Sequence, residues 1–344
     1  MQRRGVHLVG SIPAEGAAEA MHTATHNVGQ HLRTLPDGEP GERRDWIVHI
    51  VESFRRNPHL RVRADGDWSD YEQTPTFRIR PGHTLRGYAL ELGQHEAFTE
   101  GYPVFQRVRD ELGRDDLTFQ VGIPGPLDMA LFTFGPREAF LRRGPFAEAA
   151  LREIHQIHAR AGDDVIFQLE VPVELVFVTK MPGGLRQPMA AFLAGGLARL
   201  VRHTPPGARF GIHLCVGDLG NKALEQPRDA GPLVTLANEI ARRWPTSHPL
   251  EYVHAPMAAG DDPAPFDEAF YQPLRGLRLP PQVRFAAGFV HERRELDENH
   301  RVLDIIEHHA GRPVDVAAAC GLGRRDPESA REVLKQSAEL CQSG

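Results

Sequence analysis

The stretch Gly211-Ile212-His213-Leu214-Cys215-Val216-Gly217-Asp218 decides how the chain is read. The apolar residues leading into it mark a strand. Successive strand side chains point to opposite faces, so His213 and Cys215 share a face. Gly217 and Asp218 are turn formers and end the strand. An imidazole beside a thiolate suits a borderline-soft cation such as zinc. A second cysteine, Cys320 in Ala319-Cys320-Gly321, also stands where an apolar run, 314–319, meets a glycine loop. Two of the three cysteines therefore lie at strand ends. The plain alternative is a pair of small buried hydrophobes, and the local pattern leaves both open.

Outward from this strand the chain alternates. Strands are expected near 6, 32, 117, 165, 209, 249, 283 and 314. Helices are expected at 14–30, 98–112, 137–161, 189–203, 231–243, 266–277, 297–309 and 327–341. Alternating strands and helices imply a parallel sheet, and eight such units match an α/β (β/α)8 TIM barrel. Residues 47 to about 115 break the rhythm. Strand-like alternation over 61–80, around Gly66 and Thr74-Pro75-Thr76, predicts an inserted hairpin or lid. In such barrels the active site lies at the carboxyl ends of the strands. Asp37, Glu39, Glu170, His213, Cys215, His254, His291 and Cys320 all fall there. The i, i+4 pair His22 and His26 lacks an accompanying zinc-motif glutamate and reads as a solvated helix face.

Composition narrows the function classes. With 344 residues, 41% hydrophobic and 25% charged, the chain can bury a sizeable core, and it is read as one domain over 1–344. A net charge of −6 argues against a nucleic-acid partner. No apolar run approaches the ~20 residues of a membrane span. The opening Met1-Gln2-Arg3-Arg4 has no long apolar stretch behind it and is not read as an export signal. Three cysteines do not make a disulfide scaffold, so a reduced, cytoplasmic setting is expected.

These residues resemble the catalytic C-terminal barrel of cobalamin-independent methionine synthase, in the group that also holds uroporphyrinogen decarboxylase. The resemblance spans nearly the whole chain. It rests on Gly10-Ser11-Ile12-Pro13, Asp37-Gly38-Glu39 through Arg43-Arg44-Asp45, Gly125-Pro126 and Phe167-Gln168-Leu169-Glu170-Val171-Pro172. Its most specific elements are His213-x-Cys215 and Cys320-Gly321-Leu322. The order of motifs is closer still to single-barrel, synthase-like proteins. The resemblance implies zinc held by His213, Cys215 and Cys320. The family's fourth ligand, a glutamate, falls here on His254, with Glu251 three residues earlier on the opposite face.

The chemistry so implied is transfer of a methyl or other alkyl group to a substrate thiol held as thiolate. Ser11, Asp37, Glu39, Arg43 and Glu170 are the expected substrate-binding residues, the two glutamates for an amino group and Arg43 for a carboxylate. Glu170 and His291 are the expected catalytic residues, His291 as a proton donor to the leaving group. The partners would be a small thiol and a methyl donor, small or protein-borne. Methyltetrahydrofolate and a methyl-corrinoid are candidates, although the chain lacks the synthase's second, N-terminal barrel. Two other readings stay open: a metal-free lyase or decarboxylase governed by Arg43 and Arg44, and a non-catalytic metal- or ligand-binding barrel. Gly321-x-Gly323 before Arg324-Arg325 would also suit a phosphate at a helix start.

Overall fold

Each apolar run with a polar residue at its carboxyl end becomes a strand that is buried on both faces. The computed structural model describes residues 3–342, so Met1 and Gln2 of the opening stretch lie outside it. Ten strands form among the described residues: β1 (Val6–His7), β2 (Thr34–Pro36), β3 (Leu60–Ala64), β4 (Thr76–Ile79), β5 (Thr118–Pro124), β6 (Val165–Glu170), β7 (Arg209–His213), β8 (Leu250–Pro256), β9 (Arg284–Val290) and β10 (Asp315–Ala318). Eight of them pair in the order β1-β10-β9-β8-β7-β6-β5-β2, every pair parallel. A single parallel bridge from Val6 to Leu32 faces the remaining gap. The result is a nearly closed barrel, with eleven α-helices among the described residues. The expected (β/α)8 architecture is therefore observed. None of these helices is long and apolar enough to cross a membrane.

The break in the rhythm is also observed. β3 and β4 form a separate antiparallel hairpin inside the predicted insert. Three helices were not foreseen: Trp46–Ser53, Pro126–Phe134 and Pro172–Lys180. The last two begin on a proline, which is favourable in the first helical turn and reads as a loop in sequence. They are also apolar nearly all round, so no 3.6-residue stripe betrays them. The helix expected over 266–277 is one turn, Glu268–Tyr271, followed by a tighter turn over Gln272–Gly276. Pro273 in that turn has no N–H to continue an α-helix.

Side-chain alternation sorts the strands into two environments. Phe119, Phe167 and Phe210 face the helices; Phe119, for example, packs against Phe98, Tyr102 and Phe105 of helix Gln94–Leu112. Gln120, Gln168, Gly211, Tyr252 and His254 face the lumen, which is polar where barrels usually carry branched aliphatics. The polar groups are matched. The Gln168 amide oxygen accepts from Tyr252 Oη at 3.0 Å and faces His7 Nε2 at 3.0 Å. Its NH2 donates to Val9 O at 2.6 Å and Glu170 Oε1 at 2.7 Å. The Gln120 NH2 donates to Leu8 O at 2.8 Å and Val9 O at 2.9 Å.

Tyr252 reaches across the lumen only because Gly211 has no side chain. A Cβ at Gly211 would lie 2.0 Å from the tyrosine ring. Gly211→Ala is expected to destabilise the protein by about 1–3 kcal/mol through overpacking. Urea unfolding should show the lower midpoint, and Tyr252→Leu in the same chain should restore part of it. An unchanged midpoint in Gly211→Ala would refute this account of the lumen.

Candidate metal and ligand site

At its carboxyl end β7 delivers His213 to the lumen face, and the extended chain beyond it places Cys215 on the same side. Gly217 then turns the chain with φ 89°, a conformation that favours glycine. Cys320 arrives from the end of β10. Its loop is pinned by Ser11: Leu322 N–H donates to Ser11 O at 2.7 Å and Gly323 N–H to Ser11 Oγ at 3.2 Å. Gly321 passes so close that a Cβ there would sit 2.2 Å from Ser11 Oγ. The buried Ser11 hydroxyl, expected to touch substrate, thus holds the loop that carries Cys320.

The donor atoms of His213, Cys215 and Cys320 all lie within 4.8 Å of one another. Cys215 Sγ is 3.9 Å from Cys320 Sγ, and Cys320 Sγ is 3.8 Å from His213 Nε2. Tetrahedral zinc, with its usual bond lengths, would set two sulfurs about 3.8 Å apart and a sulfur and a nitrogen about 3.6 Å apart. Both distances through Cys320 therefore match such an ion within a few tenths of an ångström, and the third pair closes within 4.8 Å. Gly217 N–H points at Cys215 Sγ at 3.3 Å, which suits a thiolate.

His254 does not join the three as a fourth ligand. It pairs in register with His213 on β8, and its Nδ1 lies 2.7 Å from His213 Nδ1. Its Nε2 lies 3.0 Å from Ala318 O. A carbonyl only accepts, so His254 carries its proton on Nε2. Its Nδ1 must then accept from His213 Nδ1–H, which leaves the lone pair of His213 on Nε2, facing Cys320. Burial, before any neighbouring charge, favours the neutral form of both rings by lowering the pKa of each, that of His254 to about 4. Glu251 pairs with Arg209 at the far end of the barrel, and a register shift between Phe210 and Gly211 accommodates it.

Glu170 stands at the edge of the group, with Oε2 3.7 Å from His213 Nε2. Burial, followed by the nearby Glu39 and Cys320, raises its pKa, and a hydrogen bond from Gln168 opposes this. Glu39 faces it above Gly122: a Cβ on that glycine would lie 3.4 Å from Glu170 Oε1 and 3.6 Å from Glu39 Oε1. Burial first, then Asp37, pushes Glu39 up to about 8. Asp37 is bound to Arg43. Arg43 and Glu39 open into a neighbouring cavity with Glu42, His49, Glu96 and Glu100, away from the sulfurs.

His291 does not reach the site. Its Nε2 lies 3.0 Å from Gly260 O, and its Nδ1 accepts from Arg293 N–H at 3.1 Å. With both nitrogens held by backbone and the ring fully buried, it ties two loops together and has no proton to give a substrate. The phosphate reading of the Gly321-x-Gly323 loop meets a similar obstacle. Arg324 donates to Asp218 at 2.7 Å and to Asp45 at 2.8 Å, and Arg325 to Glu292 at 2.8 Å.

The sulfurs look into a pocket with about 660 Å³ of empty space up to open solvent. Sequence reasoning missed Trp68, Tyr71, Phe132 and Leu219 of its wall. Trp68 and Tyr71 come from the insert, and the available signal was two aromatics in an otherwise turn-forming Asp67-Trp68-Ser69-Asp70-Tyr71.

Comparison with known proteins adds the fold and little more. No family model matches the chain, and no curated protein sequence matches it. Among solved structures it is similar to a protein from Listeria monocytogenes provisionally named a vitamin-B12 independent methionine synthase. The TM-score is 0.50 at 15% identity, over 100% of this chain and 99% of that one, a likeness that concerns the barrel itself.

Proposed function

We propose that the protein is a zinc-dependent transferase that activates a thiol for methyl or other alkyl transfer. The observation that carries this reading is the group His213, Cys215 and Cys320, with donor atoms within 4.8 Å and the His213 lone pair turned toward the sulfurs. Zinc held there would bind a substrate thiol and keep it as thiolate near neutral pH. The chain's own groups do the rest. Ala318 O and His254 hold the His213 ring and its tautomer. Gly217 N–H supports the Cys215 sulfur. Glu170 lies at the edge of the group, where a carboxylate can accept the thiol proton. The substrate sulfur then attacks the alkyl carbon, a sulfur–carbon bond forms, and the electron pair of the broken bond leaves with the donor.

Methyltetrahydrofolate, a methyl-corrinoid or another small or protein-borne electrophile would each serve as donor in this scheme. The metal-free decarboxylase alternative gains no support from the arginines it needs. Arg43 is engaged by Asp37, and the exposed Arg44 turns its Nε to Gly41 O at 2.9 Å.

Elemental analysis of the purified protein should find about one zinc per chain. Cys215→Ser and Cys320→Ser should each lose it, whereas Cys341→Ser, buried in the last helix, should keep it. Full occupancy in both of the first two variants would overturn the site.

The positioning role of His254 gives a second test. His254→Phe keeps a ring but removes the acceptor for His213 Nδ1–H. Competition with a chromophoric chelator should then show metal affinity weakened about 10–100-fold. Loss as complete as in Cys320→Ser would instead make His254 a direct ligand.

Metal uptake should release protons, because the sulfurs bind as thiolates. The neighbouring Cys215 sulfur, then burial, hold the Cys320 thiol protonated well above its usual range. Below that range the incoming ion must displace the proton, so apparent affinity should rise with pH. Calorimetry in two buffers of different ionisation heat measures the release, and equal observed heats would count against thiolate ligation.

A further inference from the structure

The pocket above the sulfurs says what kind of molecule it receives. Apart from the His213–Cys215–Cys320 group, Glu170 beside it and the ion-paired Asp45, Asp218 and Arg324, its walls are largely aromatic and aliphatic, with Trp46, Trp68, Tyr71, Phe132, Val173 and Leu219 among them. Its one guanidinium, Arg324, is already bound by Asp45 and Asp218. Among the described residues lining this pocket, no unpaired cation is left for a substrate carboxylate, sulfonate or phosphate.

The aromatic wall is built rather than incidental. Trp68 is one of three described non-glycine residues with positive φ, at 59°, a strained setting for an indole-bearing residue. Several contacts hold it there. Its Nε1–H donates to Glu52 Oε1 at 2.8 Å, its N–H donates to Gln73 O at 3.0 Å, and its ring lies 6.5 Å from that of Phe132. Two residues earlier, Gly66 passes so close to Gln73 that a Cβ would lie 2.1 Å from its carbonyl oxygen. Tyr71 fastens the same segment to the loop that follows Cys215. Its hydroxyl accepts from Leu219 N–H at 2.9 Å and donates to Lys222 O at 3.1 Å. The insert thus supplies preorganised rings over the sulfurs, and such rings bind apolar, flat groups at little ordering cost.

We propose that the thiol taken by this site carries an apolar, planar body, such as an aryl or arylalkyl group, which the Trp68–Phe132 wall receives while its sulfur reaches Cys215 and Cys320. The proposal rests on the thiol-activation reading and adds the substrate class to it.

The test is calorimetric titration of the protein as purified with phenylmethanethiol, its oxygen analogue benzyl alcohol, and homocysteine. Phenylmethanethiol should bind at least about tenfold more tightly than homocysteine, with the negative heat-capacity change of apolar burial. Trp68→Ala should weaken both phenylmethanethiol and benzyl alcohol about tenfold, the scale of one lost aromatic contact. Trp68→Leu, which keeps an apolar side chain, should recover part of the loss and so separates a lost wall from a misfolded insert. Cys320→Ser should weaken phenylmethanethiol only. Tighter binding of homocysteine, or indifference of both aryl ligands to Trp68→Ala, overturns the apolar body while leaving thiol activation standing. Equal binding of phenylmethanethiol and benzyl alcohol, unmoved by Cys320→Ser, overturns thiol activation itself and the sulfur contact with it.

Discussion

Two glutamine side chains close this barrel. β1 is two residues long and the seam beside it is a single bridge, so backbone ladders alone do not hold the first strand in place. Gln120 and Gln168 send their NH2 groups across the lumen to the carbonyls of Leu8 and Val9. Buried amides are costly when unpaired and worth about 0.5–1.5 kcal/mol each when paired. The requirement that every lumen dipole find a partner therefore fixes the path of the chain after β1. That path places Ser11, and Ser11 places the loop of Cys320.

The same constraint reaches the donor set from the other side. His254 enters the lumen beside Tyr252 and is fully buried, so its ring must find protein partners. Its proton goes to Ala318 O, two residues before Cys320. One carbonyl thus orients His213 through His254, and the strand bearing it also carries a cysteine. Movement of β10 against β8 would disturb both ligand types together. A site assembled this way depends on the barrel as a whole, whereas three residues on one flexible loop would not.

Much of this was legible in the sequence, and what was not has physical causes. The eight strands were visible because each joins an apolar run to a polar end. His213 and Cys215 were visible because strand alternation is local. Cys320 was visible by composition, as a rare residue in a matching setting. His254 was legible as a neighbour of His213, but its role depends on which ring nitrogen meets which partner, and Ala318 is 64 residues away. Arg324 was invisible as a pocket wall because its partners Asp218 and Asp45 are 106 and 279 residues distant. Arg43 misled for the same reason in reverse: a lone arginine in sequence reads as available, and Asp37 six residues earlier had already taken it. Helices Pro126–Phe134 and Pro172–Lys180 escaped because burial on all sides erases the periodicity by which helices are recognised.

Dryness also sets the charge state of the site. Burial lowers the pKa of His7, His213 and His254 and raises that of Glu39 and Glu170. All five shifts act in the neutral direction, the expected response of ionisable groups in low dielectric. Neutral histidines have defined tautomers, and a defined tautomer gives His213 a lone pair in a fixed direction. A raised carboxyl pKa lessens the demand for a counter-ion and makes Glu170 a stronger base when ionised, which agrees with a pocket where the Arg324 guanidinium is already bound by Asp45 and Asp218. Under the proposed metal reading, the sulfurs of Cys215 and Cys320 would be the groups whose charge changes if a divalent cation entered, since two thiolates would cancel its charge and a neutral imidazole would add none. Were a cation to fill the group, the polar, buried lumen that closes the barrel would leave proton loss at the thiols as the chemical event coupled to it.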